Sequence, residues 1–212
     1  MATLLHKGLY AVTPDKLDTV ELLRRVELAL LGGARLVQYR NKQADSVLRR
    51  EQAAALVSLC HRLGGRLIVN DDLALALEVG ADGAHLGRED GELAAARTTL
   101  GPGKILGVSC YNEMARAREA RRIGADYIAF GSVFASATKP GAVPAPLTLL
   151  AQAKAELSLP VCAIGGITLQ NAPRLIEAGA DLLAVITDLF EAPDIQARAA
   201  AYTHLFPERV PS

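Results

Sequence analysis

The 212-residue chain has no excess of either charge: 23 Lys and Arg stand against 23 Asp and Glu, a formal net charge of zero with His neutral. No long-range field therefore draws it to nucleic acid or to an acidic membrane surface, and any anion must be held by a local site. Cysteine is scarce. Cys60, Cys110 and Cys162 form neither a CxxC pair nor a Cys/His cluster, which argues against a redox or zinc motif and leaves buried structural thiols as the reading. His6, His61 and His204 show no metal spacing with one another. Half of the residues are apolar, yet their runs are short and broken by Gly, Asp or Arg, so a span of about 18 apolar residues is missing and no membrane association is expected. The opening MATLLHKGLYAV lacks the separated basic, apolar and cleavage regions of a signal peptide. A cytoplasmic enzyme is the expectation.

What is present is a repeat. Four times a small-residue turn precedes a short apolar strand: Gly32-Gly33-Ala34 before RLVQYR, Gly80-Ala81-Asp82 before GAHLG, Gly124-Ala125-Asp126 before YIAFG, and Gly179-Ala180-Asp181 before LLAVI. The turns follow Ala- and Leu-rich stretches with helical periodicity, so the unit is helix, tight turn, buried strand. Strands are expected at LYAVT, RLVQYR, RLIVND, GAHLG, ILGVS, YIAFG, VCAIGG and LLAVI. Helices are expected at residues 18–31, 44–63, 73–79, 92–100, 113–123, 147–157, 169–178 and about 195–205. This alternation predicts a (β/α)₈ TIM barrel of the α/β class, and one catalytic domain over residues 1–212, since a chain of this length buries roughly 70% of its extended surface in one core. The competing doubly wound sheet lacks a GxGxxG after its first strand. The segment SVFASATKPGAVPAP after the sixth strand has no clear period and is longer than a plain connection needs, which predicts a working loop.

In such a barrel the reactive groups project from the C-terminal strand ends. Gln38, Arg40 and Lys42 are spaced by two, so an extended backbone turns all three to one side; a closed barrel has no strand edge to solvate them, and donors on one face suit a phosphate-rich anion. Asp71 and Asp90 follow neighbouring strands and can meet at one mouth as oxygen ligands for Mg²⁺, or they can simply cap the helices that come next. Asn70 can donate to phosphate or stabilise its turn. Gly165-Gly166 can wrap its amides around a phosphate near strands seven and eight, with Thr168 capping the following helix, or can merely form the turn. Ile186 and Thr187 end strand eight beside it. His85, alone on its strand, points into the mouth or packs against a helix, and the second is the commoner fate of a lone strand histidine.

Taken in order, these segments resemble the thiamine-phosphate synthase family from LYAVT to LLAVI. The resemblance is carried by Gln38-Tyr39-Arg40-Asn41-Lys42, Asn70-Asp71, His85-Leu86-Gly87-Arg88-Glu89-Asp90, Gly107-Val108-Ser109, the stretch from Gly131 to Lys139, and AIGGI. It departs at Ser132 for Pro, Ser136 for Thr, Arg88 for Gln, and Thr187 where Ser is frequent. Ser132 lifts a φ restriction and is expected to loosen its loop; Arg88 adds charge near Asp90.

The resemblance implies coupling of 4-amino-5-hydroxymethyl-2-methylpyrimidine diphosphate with 4-methyl-5-(2-phosphoethyl)thiazole, giving thiamine phosphate and diphosphate through a dissociative pyrimidine carbocation. It also implies Mg²⁺ on Asp71 and Asp90, with Gln38, Arg40, Lys42, Asn70, Ser109 and Lys139 on the diphosphate. Arg40, Lys42 and Lys139 are implied as the catalytic charges. Ser136, Thr138, Gly165, Gly166, Ile186 and Thr187 are implied around the thiazole phosphate. Partners are these small molecules, and a homodimer is a family-level expectation. Two other classes compete: a related thiazole tautomerase, which lacks the full basic and Asp set, and an inactive phosphate-ligand sensor.

Overall fold

The computed structural model describes residues 5–15, 17–135 and 144–206. Eight parallel strands close in sequence order into a barrel, β1 pairing with β8. They are β1 (Gly8–Val12), β2 (Leu36–Tyr39), β3 (Arg66–Asn70), β4 (Gly83–Leu86), β5 (Ile105–Tyr111), β6 (Tyr127–Phe130), β7 (Val161–Ile164) and β8 (Leu182–Val185). The helices among the described residues are α1 (Thr19–Leu31), α2 (Ser46–Arg62), α3 (Leu73–Glu78), α4 (Leu93–Leu100), α5 (Met114–Arg122), α6 (Leu147–Leu157), α7 (Ala172–Glu177), α8 (Thr187–Phe190) and α9 (Ile195–Thr203). No helix is long and apolar enough to cross a membrane among the described residues.

Alternation along each strand builds two cores. Tyr10, Leu36, Ile68, Ile105, Tyr127, Cys162 and Leu182 pack together inside the barrel. Their neighbours Leu9, Val37, Leu67, Leu106, Ile128, Val161 and Leu183 pack outward beneath the helices. Both strand faces are therefore dry, which is why the strands read as nearly continuous apolar runs. In α1, Asp18 caps the start by accepting from the Glu21 amide, and Leu22, Val26 and Leu30 are buried. Each of these contributes roughly 1.5–3 kcal/mol by burial against about 1 kcal/mol for the cap, so packing rather than capping holds the helix in place. All three cysteines are free and buried. Burial pushes the Cys60 and Cys110 thiols up to about 12, which keeps them protonated and agrees with a structural role.

Two helical segments differ from the sequence pattern. The seventh helix starts at Ala172 rather than Leu169, because Asn171 closes the preceding turn: its Oδ1 accepts from the Thr168 amide at 2.9 Å and its Nδ2 donates to the Gly166 carbonyl at 2.9 Å. Thr168 is thus inside a turn and caps no helix. The short α8 is additional, and Asp188 ties it to α9 through Arg198 and the Tyr202 hydroxyl, each at 2.7 Å.

The aspartates of the repeat have a common job at the N-terminal rim. Asp82 accepts from the Leu67 amide at 2.8 Å and pairs with His61; Asp126 accepts from the Leu106 amide at 2.8 Å and pairs with Arg97; Asp181 accepts from the Val161 amide at 3.0 Å and pairs with Lys154 and Lys7. Each Gly-Ala-Asp turn fastens the start of a neighbouring strand, far from the mouth. Burial pushes the Asp181 carboxyl up, but Lys154, the Val161 amide and Lys7 together outweigh it and leave the group below the usual range. A depressed carboxylate stabilises the fold above its unfolded pKa, and that contribution disappears as pH falls through the folded value. Asp181→Asn should therefore cost about 1–3 kcal/mol in urea unfolding at neutral pH, with the gap from the parent protein closing in acid. A gap that is constant with pH would remove the charge from this explanation.

Candidate active site

The C-terminal mouth collects residues from β1, β2, β3, β4, β5, β7 and β8. β2 ends at Tyr39, so only Gln38 of the spaced trio lies within a strand. Gln38 is buried inside the barrel, where its Nε2 donates to the Tyr10 hydroxyl at 2.9 Å. Tyr39 and Asn41 turn the opposite way, to Gln52 on α2, as the alternation requires. Thr13 fixes the backbone at the exit of β2: its hydroxyl donates to the Arg40 carbonyl and accepts from the Arg40 amide, both at 2.9 Å. Arg40 Nη1 then reaches Asp15 Oδ2 at 2.6 Å, while Asp15 Oδ1 accepts from the Lys42 amide at 2.8 Å. Lys42 Nζ pairs with Asp71 Oδ2 at 3.1 Å. Both described basic groups thus sit opposite carboxylates at the rim. Asp15, on the loop after β1, belongs to this set and had no motif to signal it.

The two candidate metal ligands do not act as helix caps. Asp72 caps α3 by accepting from the Leu75 amide at 2.9 Å, and α4 has Glu92 at its N-cap position with no side-chain cap bond. Asp71 instead adopts φ of +61° at the end of β3, a left-handed conformation that costs a non-glycine residue energy and is held by the hydrogen bond that its backbone N–H donates to the His85 carbonyl at 2.8 Å. Asp90 accepts from the Gly87 amide at 2.6 Å. Burial raises the Asp90 carboxyl above its ordinary value, and Asp71, hydrogen-bonded and charged beside it, raises it further against the Gly87 amide and Lys42. Two carboxyl groups brought together in this way, with Lys42 as their cationic neighbour, supply hard oxygen donors, which suits a divalent cation. Among the described residues no cluster of three or more His, Cys, Asp or Glu exists, so substrate oxygens or water would have to complete such a shell.

Arg88 does not interfere. It turns to Glu113 and lies over the Tyr111 ring at 5.0 Å from the centroid, so the charge introduced beside Asp90 is spent elsewhere. Arg116 of α5 donates to the Ser109 carbonyl at 2.7 Å and to the Gly87 carbonyl at 2.6 Å, binding the ends of β4 and β5 together. The ladder between β5 and β6 shifts register between Ser109 and Tyr111, a bulge of the kind that re-aims side chains at a rim. Ser109 Oγ meets His85 Nε2 at 2.8 Å. His85 therefore points into the barrel rather than against a helix, buried between Ser109 and Tyr127.

On the far side of the mouth, Gly165 and Gly166 take φ of +103° and +64°. Side chains there would strike Ser132 Oγ at 2.1 Å and the Ala135 carbonyl at 2.4 Å. The loop after β6 lies on this turn, with the Val133 amide donating to the Ile164 carbonyl at 3.0 Å and the Phe134 amide to the Gly165 carbonyl at 3.1 Å. Ser132 is not a loosening point, because its hydroxyl donates to the Phe134 carbonyl at 2.6 Å and its carbonyl accepts from the Ala145 amide at 2.8 Å. Ser136, Thr138 and Lys139 lie outside the described residues. A cleft of about 290 Å³ runs between Asp15, Arg25, Arg40, Ile186, Thr187 and Phe190, so the basic side and the β8 side of the mouth border one space.

Comparison with known proteins places this geometry. Residues 9–189 match the family model described as thiamine monophosphate synthase. A thiamine-phosphate synthase of Aromatoleum aromaticum is 58% identical over 94% of this chain and 96% of that protein; one of Methylobacillus flagellatus is 54% identical over 94% and 95%. A solved thiamine phosphate pyrophosphorylase from Pyrococcus furiosus superposes with a TM-score of 0.83 at 32% identity, covering 93% of this chain and 94% of that one. A 3-hexulose-6-phosphate synthase, with a TM-score of 0.71 at 19% identity, shares the barrel alone.

Proposed function

Because the chain belongs to the thiamine monophosphate synthase family, we propose that this enzyme joins 4-amino-5-hydroxymethyl-2-methylpyrimidine diphosphate to 4-methyl-5-(2-phosphoethyl)thiazole, releasing diphosphate and thiamine phosphate. The observation that carries the substrate assignment is the division of the mouth into two anion-suited sides. One has Arg40 on Asp15 and Lys42 on Asp71, with Asp90 beside Asp71; the other has the positive-φ glycine pair and the end of β8.

Asp71 and Asp90 fit Mg²⁺, which when bound would screen the diphosphate charge. Arg40 and Lys42 exchange Asp15 and Asp71 for diphosphate oxygens, joined by Asn70, Ser109 and Lys139. The methylene C–O bond breaks with its electron pair leaving on diphosphate, and these cations stabilise the growing charge more than the ground state. The aminopyrimidine delocalises the positive charge left on the methylene carbon. The thiazole nitrogen then donates its lone pair to that carbon, while Gly165, Gly166, Ile186 and Thr187, with Ser136 and Thr138, hold the thiazole phosphate so that nitrogen and carbon face each other. No protein nucleophile takes part, in keeping with three buried, protonated thiols.

Purified protein supplied with both substrates and Mg²⁺ should release thiamine phosphate and diphosphate in equal amounts, followed by chromatography and a diphosphate assay. Either substrate alone should yield no coupled product. Conversion of a non-aromatic thiazole carboxylate phosphate isomer in place of coupling would replace this reading with a tautomerase; binding of both ligands without conversion would replace it with a sensor.

A further inference from the structure

Beneath the mouth a chain of hydrogen bonds crosses the barrel interior and joins residues from five strands. Gln38 Nε2 donates to Tyr10 Oη at 2.9 Å, Tyr10 Oη lies 2.7 Å from Tyr127 Oη, Tyr127 Oη lies 2.9 Å from His85 Nδ1, and His85 Nε2 lies 2.8 Å from Ser109 Oγ. Tyr10 and Tyr127 are fully buried and meet edge to face at 5.7 Å; His85 stacks on Tyr127 at 5.5 Å. The two ends, Gln38 and Ser109, are both residues assigned to the diphosphate. The three residues between them have no part in the proposed reaction.

Counting protons orients the chain. Burial raises both phenols far above their ordinary values, so each keeps one O–H and has one proton to donate. With the Gln38 amide donating to Tyr10, the Tyr10 proton goes to Tyr127 and the Tyr127 proton to His85 Nδ1. With the imidazole neutral, its own proton is left on Nε2 and goes to Ser109 Oγ. The Ser109 proton has no inward acceptor left and turns outward. With the opposite polarity, Gln38 would present Oε1 to Tyr10, every proton would reverse, and Ser109 would donate to His85 and offer only lone pairs to a ligand. Lone pairs repel an anion. A diphosphate at Ser109 therefore selects the first polarity.

We propose that Tyr10, Tyr127 and His85 are positioning residues that polarise Ser109 as a hydrogen-bond donor toward the diphosphate. The inference rests on the diphosphate side of the reading above and on nothing at the thiazole side. Three of the four links are buried and the last, at Ser109, is partly buried; reversing the polarity reverses every link, so the chain behaves as one two-state element rather than as independent contacts. Its glycine neighbour fits this role: a side chain on Gly107 would stand 2.1 Å from Tyr127 Cζ, so the bare backbone there makes room for the central ring.

The test uses the full-length protein with ¹⁵N-labelled histidine and inorganic diphosphate plus Mg²⁺ as the probe. His85 should be the Nε2–H tautomer, and diphosphate should strengthen that preference. A predominant Nδ1–H tautomer in the diphosphate-bound protein would overturn the proposal. Tyr127→Phe keeps the ring and deletes the central hydroxyl; it should weaken diphosphate binding about tenfold, the worth of one well-made hydrogen bond, and abolish the effect of diphosphate on the tautomer. The same variant should change the KM for the pyrimidine substrate and leave that for the thiazole unaltered. Unchanged diphosphate affinity in folded Tyr127→Phe would also overturn it, and Gln38→Glu, whose carboxylate can only accept, should shift His85 toward Nδ1–H. Failure of the coupling assay would leave these readouts standing, so the two readings fail separately.

Discussion

Asp71→Asn and Asp90→Asn should each reduce turnover at fixed Mg²⁺ by about a hundredfold or more, since in the proposed reaction a cation worth several kcal/mol to the leaving group would be held by only two protein carboxylates. The two variants should part company in stability. Burial, and then the neighbouring Asp71, raises the Asp90 carboxyl; a raised carboxyl favours the fold while protonated. As pH climbs past the ordinary Asp range, the unfolded chain releases this proton first, and the loss of stability is complete once pH exceeds the folded value. Asp90→Asn escapes that loss, because its amide oxygen can still accept from Gly87. Its thermal midpoint should exceed that of the parent protein at neutral pH and converge with it in acid. Asp71→Asn should show less gain, since it also forfeits the Lys42 pair at 3.1 Å. Mg²⁺ should stabilise the parent and neither variant. Identical Mg²⁺ titrations of turnover for all three proteins would dismiss these aspartates as ligands.

Gly107→Ala should be a severely damaging single-methyl change in the barrel interior. Its Cβ would lie 2.1 Å from Tyr127 Cζ and 2.3 Å from Tyr127 Oη, and the ring is fully buried with no room to retreat. Overpacking of this kind costs about 1–3 kcal/mol, and displacement of Oη strains the bonds to Tyr10 and His85 as well. Urea unfolding should show the stability loss, and the steady-state rate should fall with it. A double-mutant cycle identifies the cause: with Tyr127→Ala in the background, the methyl on residue 107 meets space instead of a ring and should cost little. Equal penalties in both backgrounds would place the damage elsewhere.

The architecture was legible because helix and strand periods are local. Small-residue turns announce four of the strands and short apolar runs between helical stretches announce the rest, and Leu147–Leu157 forms the expected helix to the residue. Boundaries moved where a side chain from outside the local pattern intervened, as Asn171 does before α7. Gln38, Arg40, Lys42, Asn70, Asp71, Asp90 and Ser109 were legible as polar groups within or just after the C-terminal halves of apolar strands. Their partners were not. Asp15 precedes a helix and looks like any loop acid, and nothing in LYAVT marks Tyr10 as a hydrogen-bonding residue rather than core.

Sequence alone determined the alternation, the order of the strands and which chemical groups stand at their C-terminal ends, because all of these follow from patterns within one helix or one strand. Tertiary structure decided what those groups do. It made Asp72 the cap and left Asp71 to face Asp90, sent Arg88 to Glu113, and assigned Asp82, Asp126 and Asp181 to fastening strands. It also joined Tyr10 to Tyr127, which are 117 positions apart. Closing a sheet into a barrel places the first and last strands side by side and turns every second side chain onto one axis, so contacts across the interior depend on shear and ring size, which no local window contains.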